Sequence, residues 1–190
     1  MNRIILRLLN APALILLTVL GIAVQTSLFS SFIKIGPIRF LQPDIVLVVV
    51  IWCALNRGFI EGGILTLAVA DIAELHSAAP QGMFLIAYMI IYLLVRASSR
   101  LLVIPNMNAT VTLTLIASVI WKILVLILLK LLGESGQFWR HTLLYLAPGT
   151  LVEGALAYWA YQWFEKFDTL TFKSARGERN WEEEASLELI

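Results

Sequence analysis

The stretch PDIVLVVVIWCALNRGFIEGG, residues 43–63, places an unbroken apolar run between Asp44 and the basic turn around Arg57. As a helix, this run rises only about 16 Å, roughly half the hydrocarbon core of a bilayer. The run is nevertheless too apolar to face water. A helix that starts at Phe40 gains enough length to cross a locally thinned bilayer. The polar residues 56–58 then predict a tight turn, from which the chain returns.

A single helix over residues 44–71 is the alternative to this helical hairpin. It places the Arg57 guanidinium near the centre of a bilayer, at a cost of roughly 2.5–3.5 kcal/mol. The hairpin avoids this cost because Arg57 then lies at the membrane face. The sequence therefore favours two short antiparallel helices over one long helix.

The composition of the chain is typical of a membrane protein. Of its 190 residues, 59% are hydrophobic and 14% are charged, against about 45–50% and 25% in ordinary soluble domains. The net charge of +1 argues against a nucleic-acid partner or a strongly acidic one. Cys53 is the single cysteine, which excludes a disulfide framework and a thiolate metal site.

The apolar segments predict an all-α integral membrane protein with six transmembrane helices. Residues 1–10 form an amphipathic segment at the membrane surface, residues 11–164 form the membrane domain, and residues 165–190 form a charged cytoplasmic tail. A signal peptide is the alternative for the N-terminus, but its cleavage would remove one span. The predicted spans are residues 11–32, 40–55, 59–75, 83–95, 109–132 and 143–164, with polar loops at 71–81 and around 133–141.

The basic residues predict the orientation. Six crossings place both termini on one side, and by the positive-inside bias that side is the cytoplasm, because it carries more Lys and Arg. The basic residues on the side of the termini are Arg3, Arg7, Arg57, Arg96, Arg100, Lys166, Lys173, Arg176 and Arg179; those on the other side are Lys34, Arg39, Lys130 and Arg140.

Lys122 and Glu153 lie near the middle of the fifth and sixth predicted spans. The two spans are joined by a short loop, so residues equally distant from that loop meet at similar depth. We therefore predict a buried Lys122–Glu153 ion pair. Such a pair either fixes the register of the two helices or belongs to a proton or ion pathway. The remaining alternative is that Lys122 extends alone to the membrane surface.

Small residues recur every four positions on the third predicted span, at Gly58, Gly62, Thr66 and Ala70. They form a smooth ridge that allows another helix to approach closely. The ridge packs either within the chain or against the helix of a partner protein.

The motifs of enzymes and cofactor sites are missing from the sequence. His76 and His141 are far apart and have no H-E-x-x-H pattern or carboxylate cluster around them. No nucleophile elbow and no Gly-rich phosphate loop occurs. We expect no catalytic activity, no cofactor and no metal. The tail is either a solvated, partly helical extension or a cytoplasmic docking segment.

A distinctive order of short motifs runs through the middle of the chain. Q-P-D precedes the apolar run, a basic turn and a Gly-bearing span follow, and D-I-A-E-L-H-S-A-A-P-Q-G-M-F-L-I-A-Y comes next. This order resembles the bacterial rod-shape-determining MreD family over roughly residues 15–164. The matching positions are Pro43, Asp44, Asp71, Gly82, Ala87 and Tyr88.

The resemblance implies a six-helix protein of the bacterial inner membrane, similar in fold to the substrate-binding subunits of energy-coupling-factor transporters. It implies a non-enzymatic scaffold that binds the bitopic protein MreC in the elongation machinery with RodA and a transpeptidase, supporting cell shape and peptidoglycan synthesis. The alternative function is the substrate-binding subunit of a small-molecule (vitamin) transporter. Outside Lys122 and Glu153 the spans offer few groups to line a polar cavity, which favours the scaffold.

Overall fold

The computed structural model describes residues 2–32, 43–77, 80–101, 107–133 and 138–171. Most of the connection between the first two predicted spans, residues 33–42, and the part of the predicted tail from residue 172 onward lie outside these ranges. The described residues form six α-helices and no strand, which confirms the all-α class. The helices are α1 (Asn2–Phe32), α2 (Ile45–Asn56), α3 (Phe59–Leu75), α4 (Met83–Leu101), α5 (Met107–Leu131) and α6 (Phe138–Leu170).

Helix α2 lies at the centre of the bundle. It contacts each of the other five helices, and all its side chains from Val46 to Ala54 are buried. A helix that is apolar on every side has no face for water and packs in the interior. This position explains the short apolar run at residues 45–55, because a helix enclosed by protein need not span a bilayer by itself.

Both ends of α2 are satisfied by side chains, as a buried helix requires. At its start, an Asp44 carboxylate oxygen accepts from the Leu47 amide at 3.0 Å. At its end, Arg96 Nη1 of α4 donates to the Ala54 carbonyl at 2.8 Å. The Asn56 side chain donates to the Trp52 carbonyl at 3.3 Å. We call the end of the bundle at the start of α2 the Asp44 end, and the opposite end, at the turn between α2 and α3, the Arg57 end.

The predicted break between two short helices is confirmed. α2 ends at Asn56 and α3 begins at Phe59, and the two helices pack together. A Cβ atom built on Gly62 would lie 2.9 Å from the Cys53 carbonyl oxygen and 2.9 Å from the Tyr92 hydroxyl. Glycine is therefore required for the close approach of α2, α3 and α4.

The predicted loop at 71–81 begins later than expected. α3 continues through Leu75, so Asp71 and Glu74 are helical. The Glu74 carboxylate then accepts from the backbone amides of Gly82 and, at 3.2 Å, Leu85. These contacts cap the start of α4, and Gly82 has a φ of 82° that favours glycine at this turn. The acidic Glu74 thus lies within α3 and not in a loop, and its carboxylate is held by the backbone at the start of α4.

Helices α5 and α6 pack closely along much of their length. A Cβ on Gly154 would lie 2.5 Å from Leu115 Cδ2, so the Leu115 side chain packs directly against the glycine at this crossing. α6 begins at Phe138, earlier than the predicted start at 143, and includes Arg140 and His141, which were expected in a loop. It continues through Leu170, and α1 is likewise continuous across the predicted boundary at residue 10.

Two of the described helices are long and apolar enough to cross a membrane, over Leu9–Ser27 and Thr110–Leu131. Ile45–Asn56 and Met83–Ser99 are apolar but shorter. The structure therefore supports an all-helical protein with candidate membrane spans, and the number of six crossings stays a prediction.

Candidate functional site

A cavity of about 430 Å³ opens among the helices at the Asp44 end. Its lining combines apolar side chains with charged and polar ones that come from different helices and their ends. The expectation that the spans offer few polar groups to line a cavity was wrong, because four polar residues from three other predicted spans converge here with residues from the end of α3. The polar residues in the lining are Gln25, Thr26, Asp44, His76, Ser77, Tyr88, Lys122 and Glu153.

The structure brings Lys122 and Glu153 together. Lys122 Nζ of α5 donates to Glu153 Oε2 of α6 at 2.8 Å. Ser118, one turn before Lys122, donates its hydroxyl to the same carboxylate oxygen and accepts from Lys122 Nζ at 3.0 Å. The Glu153 side chain is buried, and that of Lys122 is largely so. The predicted pair therefore forms, and it joins α5 to α6 at the wall of the cavity.

The backbone of α6 leaves room for the Lys122 ammonium. A Cβ built on Gly149 would lie 3.5 Å from Lys122 Nζ. The ammonium thus extends past a glycine to reach the carboxylate one turn later. Ser118 was missed by sequence reasoning, although its spacing of four residues from Lys122 puts both on one helix face.

Asp44 and Tyr88 form a second polar pair in the lining. The Tyr88 hydroxyl of α4 donates to Asp44 Oδ2 at 2.7 Å. The other oxygen, Oδ1, accepts from the Leu47 amide. The Asp44 carboxylate therefore has one role in starting α2 and another in joining it to α4. The partners of Asp44 are two neutral donors.

Three aromatic rings form one wall of the cavity. Trp121 stacks on Tyr88, with ring centroids 5.5 Å apart and an angle of 24° between the planes. It also stacks on Phe84 at 6.1 Å and 18°. The buried Trp121 indole N–H has no hydrogen-bond partner among the described residues. All three residues line the cavity.

A separate buried polar cluster lies at the Arg57 end. Arg57 Nη2 donates to Asp168 Oδ1 at 2.5 Å and to Asn10 Oδ1 at 2.9 Å. Asn10 Nδ2 donates to Asp168 Oδ1 at 3.1 Å and to the Thr171 hydroxyl at 2.6 Å. Sequence reasoning missed this cluster because its members lie in three distant segments, and Asp168 was assigned to the charged tail.

The small-residue ridge is mostly occupied inside the protein. Gly62, Thr66 and Ala70 are buried, and α2 and α4 cover the ridge at Gly62. Gly58 is exposed and has no atom within 4 Å of a built Cβ. Of the two alternatives, packing within the chain therefore accounts for the three buried positions.

The positions that match the MreD pattern lie mainly at the Asp44 end. Pro43 and Asp44 line the cavity together with Tyr88, and Gly82 forms the turn that begins α4. Ala87 is fully buried. Asp71 is exposed on the last turns of α3.

The side chains that line the cavity are of the kinds that bind small molecules. Within the described ranges, no group of three or more His, Cys, Asp or Glu side chains could hold a metal ion. The cavity instead presents carboxylates, an ammonium, hydroxyl and amide groups, and aromatic rings, which suit non-covalent recognition. No family model, curated protein or solved structure matches the chain, so the resemblance to the MreD family stays a prediction.

Proposed function

We propose that the chain is a six-span integral membrane protein with both termini in the cytoplasm, and a non-enzymatic scaffold of the bacterial cell-wall elongation machinery. In this role it binds MreC, alongside RodA and a transpeptidase, in the inner membrane. The main support is the MreD-like sequence pattern, several positions of which meet around Asp44.

The distribution of apolar and charged side chains supports the membrane location. Large apolar side chains are exposed on every described helix except α2, while Arg57, Glu153 and Asp168 are buried. A water-soluble protein rarely exposes so many large apolar side chains while it buries charged ones, and an exposed apolar surface of this kind suits lipid or protein contact. Examples of exposed residues are Leu16, Ile60, Leu93, Ile127, Leu151 and Trp159.

The Asp44 end supports the family resemblance from which the scaffold role is proposed. Asp44 and Tyr88, two matching positions far apart in the sequence, share a hydrogen bond. Gly82 lies at the start of the same helix as Tyr88. Residues that carry the resemblance thus form one connected structural unit, as expected if they hold a common fold.

Co-purification tests the scaffold role. The tagged full chain is co-expressed with MreC from the same organism and purified in mild detergent, with an unrelated bitopic protein as the control. We expect MreC to be retained and the control protein to be lost. In the source organism, depletion of the chain should turn rod-shaped cells round. Loss of MreC during purification together with unchanged cell shape would refute the proposal.

The cavity favours a second candidate function, the substrate-binding subunit of a small-molecule transporter. Its volume of about 430 Å³ lies within the usual range for small-molecule pockets, about 300–1,000 Å³. Mass spectrometry of the purified protein tests this candidate, because a bound small molecule should be released on unfolding. Uptake of that molecule should then depend on the chain.

A further inference from the structure

The charged groups that line the cavity do not balance. Lys122 neutralises Glu153 through their direct contact. Asp44 has hydrogen bonds from the Tyr88 hydroxyl and the Leu47 amide, and no cationic partner among the described residues. With His76 of the lining counted as neutral, an ionised Asp44 leaves one uncompensated negative charge, since Asp44 and Glu153 together face the single positive charge of Lys122.

Glu153 has a second carboxylate oxygen, Oε1, which accepts from neither Lys122 nor Ser118. Both Lys122 and Ser118 donate to its Oε2 atom. A carboxylate oxygen at the wall of a cavity is a strong acceptor for a charged N–H donor.

The aromatic wall adds a preference of its own. Rings of Trp, Tyr and Phe attract a cation over their faces, with Trp the strongest of the three. Trp121 stacks on both Phe84 and Tyr88, and all three rings line the cavity. The same rings offer a flat apolar surface for the body of a ligand.

We infer that this cavity binds a small organic cation, a protonated amine with an aromatic or similarly flat apolar body. The ammonium donates to Glu153 Oε1 and is attracted by Asp44, while the body packs on Trp121 and its neighbours. This inference rests on the second candidate function, because it uses the same cavity. It adds the chemical class of the ligand. Binding does not require transport, so it also holds for a protein that serves as a scaffold.

Three probes of matched size test the charge preference on the unmodified full chain in detergent. They are 2-phenylethylamine, phenylalanine and 3-phenylpropanoate, which are cationic, zwitterionic and anionic at neutral pH. Isothermal titration calorimetry should give an affinity for the amine at least about tenfold above that for the other two, a difference of about 1.4 kcal/mol. Equal or tighter binding of the acid or the zwitterion, or no binding of the amine, overturns the inference.

A pair of charge-removing variants locates the binding site. Asp44→Asn removes the charge, keeps one oxygen that accepts from the Leu47 amide and offers its new NH2 group to the Tyr88 hydroxyl as acceptor. It should weaken amine binding about tenfold or more. Asp71→Asn removes the same charge from an exposed position outside the cavity and should leave the affinity unchanged. Equal effects of the two variants contradict binding in this cavity. If Asp44→Asn fails to fold, the probe series on the unmodified protein still decides.

That series also separates this inference from the candidate function on which it rests. If the amine fails while another small molecule is released from the purified protein, the ligand class is wrong and the binding function stands. If the amine binds but no uptake depends on the chain, the transporter candidate fails and the inference stands.

Discussion

Arg57 Nη2 lies 2.5 Å from Asp168 Oδ1, which ties the corner between α2 and α3 to the end of α6 across 111 residues of sequence. Both side chains are almost fully buried. Asn10 of α1 bonds to both of them. Three distant segments thus meet at one cluster, which closes the Arg57 end of the bundle around the buried helix α2.

Asp168→Asn should destabilise the protein strongly. The amide keeps the shape of the side chain but leaves the Arg57 guanidinium buried without a counter-charge, which costs about 3–5 kcal/mol. Denaturant unfolding of the purified protein in detergent measures the loss. Asp71→Asn is the matched control, since Asp71 is exposed, and should change stability little. Equal losses in the two variants would contradict a buried ion pair at Asp168.

A double-mutant cycle on Lys122 and Glu153 should reveal a coupled pair. Lys122→Met and Glu153→Gln each leave one buried charge unpaired, and each should lower the free energy of unfolding by about 2–5 kcal/mol. The double variant should lose less than the sum, because it leaves no charge without a partner. Ser118→Ala removes hydrogen bonds alone and should cost about 1 kcal/mol. If Lys122→Met leaves folding intact while Glu153→Gln abolishes it, the two charges do not act as a pair.

The local features of the bundle were predictable from the sequence. The Asn-Arg-Gly turn at 56–58 separates α2 from α3, since a break there avoids a charge within a continuous apolar helix. The meeting of Lys122 with Glu153 follows from the short connection between α5 and α6. In both cases the signal lies within one helical hairpin, where the order of residues along the chain sets which side chains are close.

The contacts between distant segments were not predictable in this way. Asp168 looks like a solvated tail charge in the sequence, yet α6 continues far enough to place it beside Arg57. The polar cavity likewise arises where the start of α2, the end of α3 and the middle of α5 and α6 converge. The sequence alone does not specify this convergence, because each helix contributes only one or two of the groups.

Gly62→Ala should destabilise the packing of α2 and α4 against α3. The new methyl group would lie 2.9 Å from the Cys53 carbonyl oxygen and from the Tyr92 hydroxyl, and overpacking of this kind costs about 1–3 kcal/mol.

Gly63→Ala is the matched control on the next residue, where the nearest atom, Tyr92 Cε1, is 3.8 Å away. It should be neutral or stabilising, because alanine favours a helix by up to about 1 kcal/mol over glycine. Thermal unfolding in detergent compares the two variants. A Gly62→Ala protein as stable as Gly63→Ala would show that the helices are not this close.

Cysteine labelling should place the two ends of α3 on opposite sides of the membrane. Gly58→Cys places a thiol at an exposed position where a built Cβ has no atom within 4 Å. Gln81→Cys places a thiol at an exposed position beyond the other end of α3. The background is Cys53→Ala, since Cys53 is the single cysteine and is buried.

In spheroplasts with a sealed inner membrane, an impermeant maleimide should modify Gln81→Cys and not Gly58→Cys. Gly58→Cys should react only after the membrane is permeabilised, because the positive-inside bias places the Arg57 end in the cytoplasm. The reverse pattern would mean an inverted orientation, and labelling of both in sealed spheroplasts would mean that α3 does not cross the membrane.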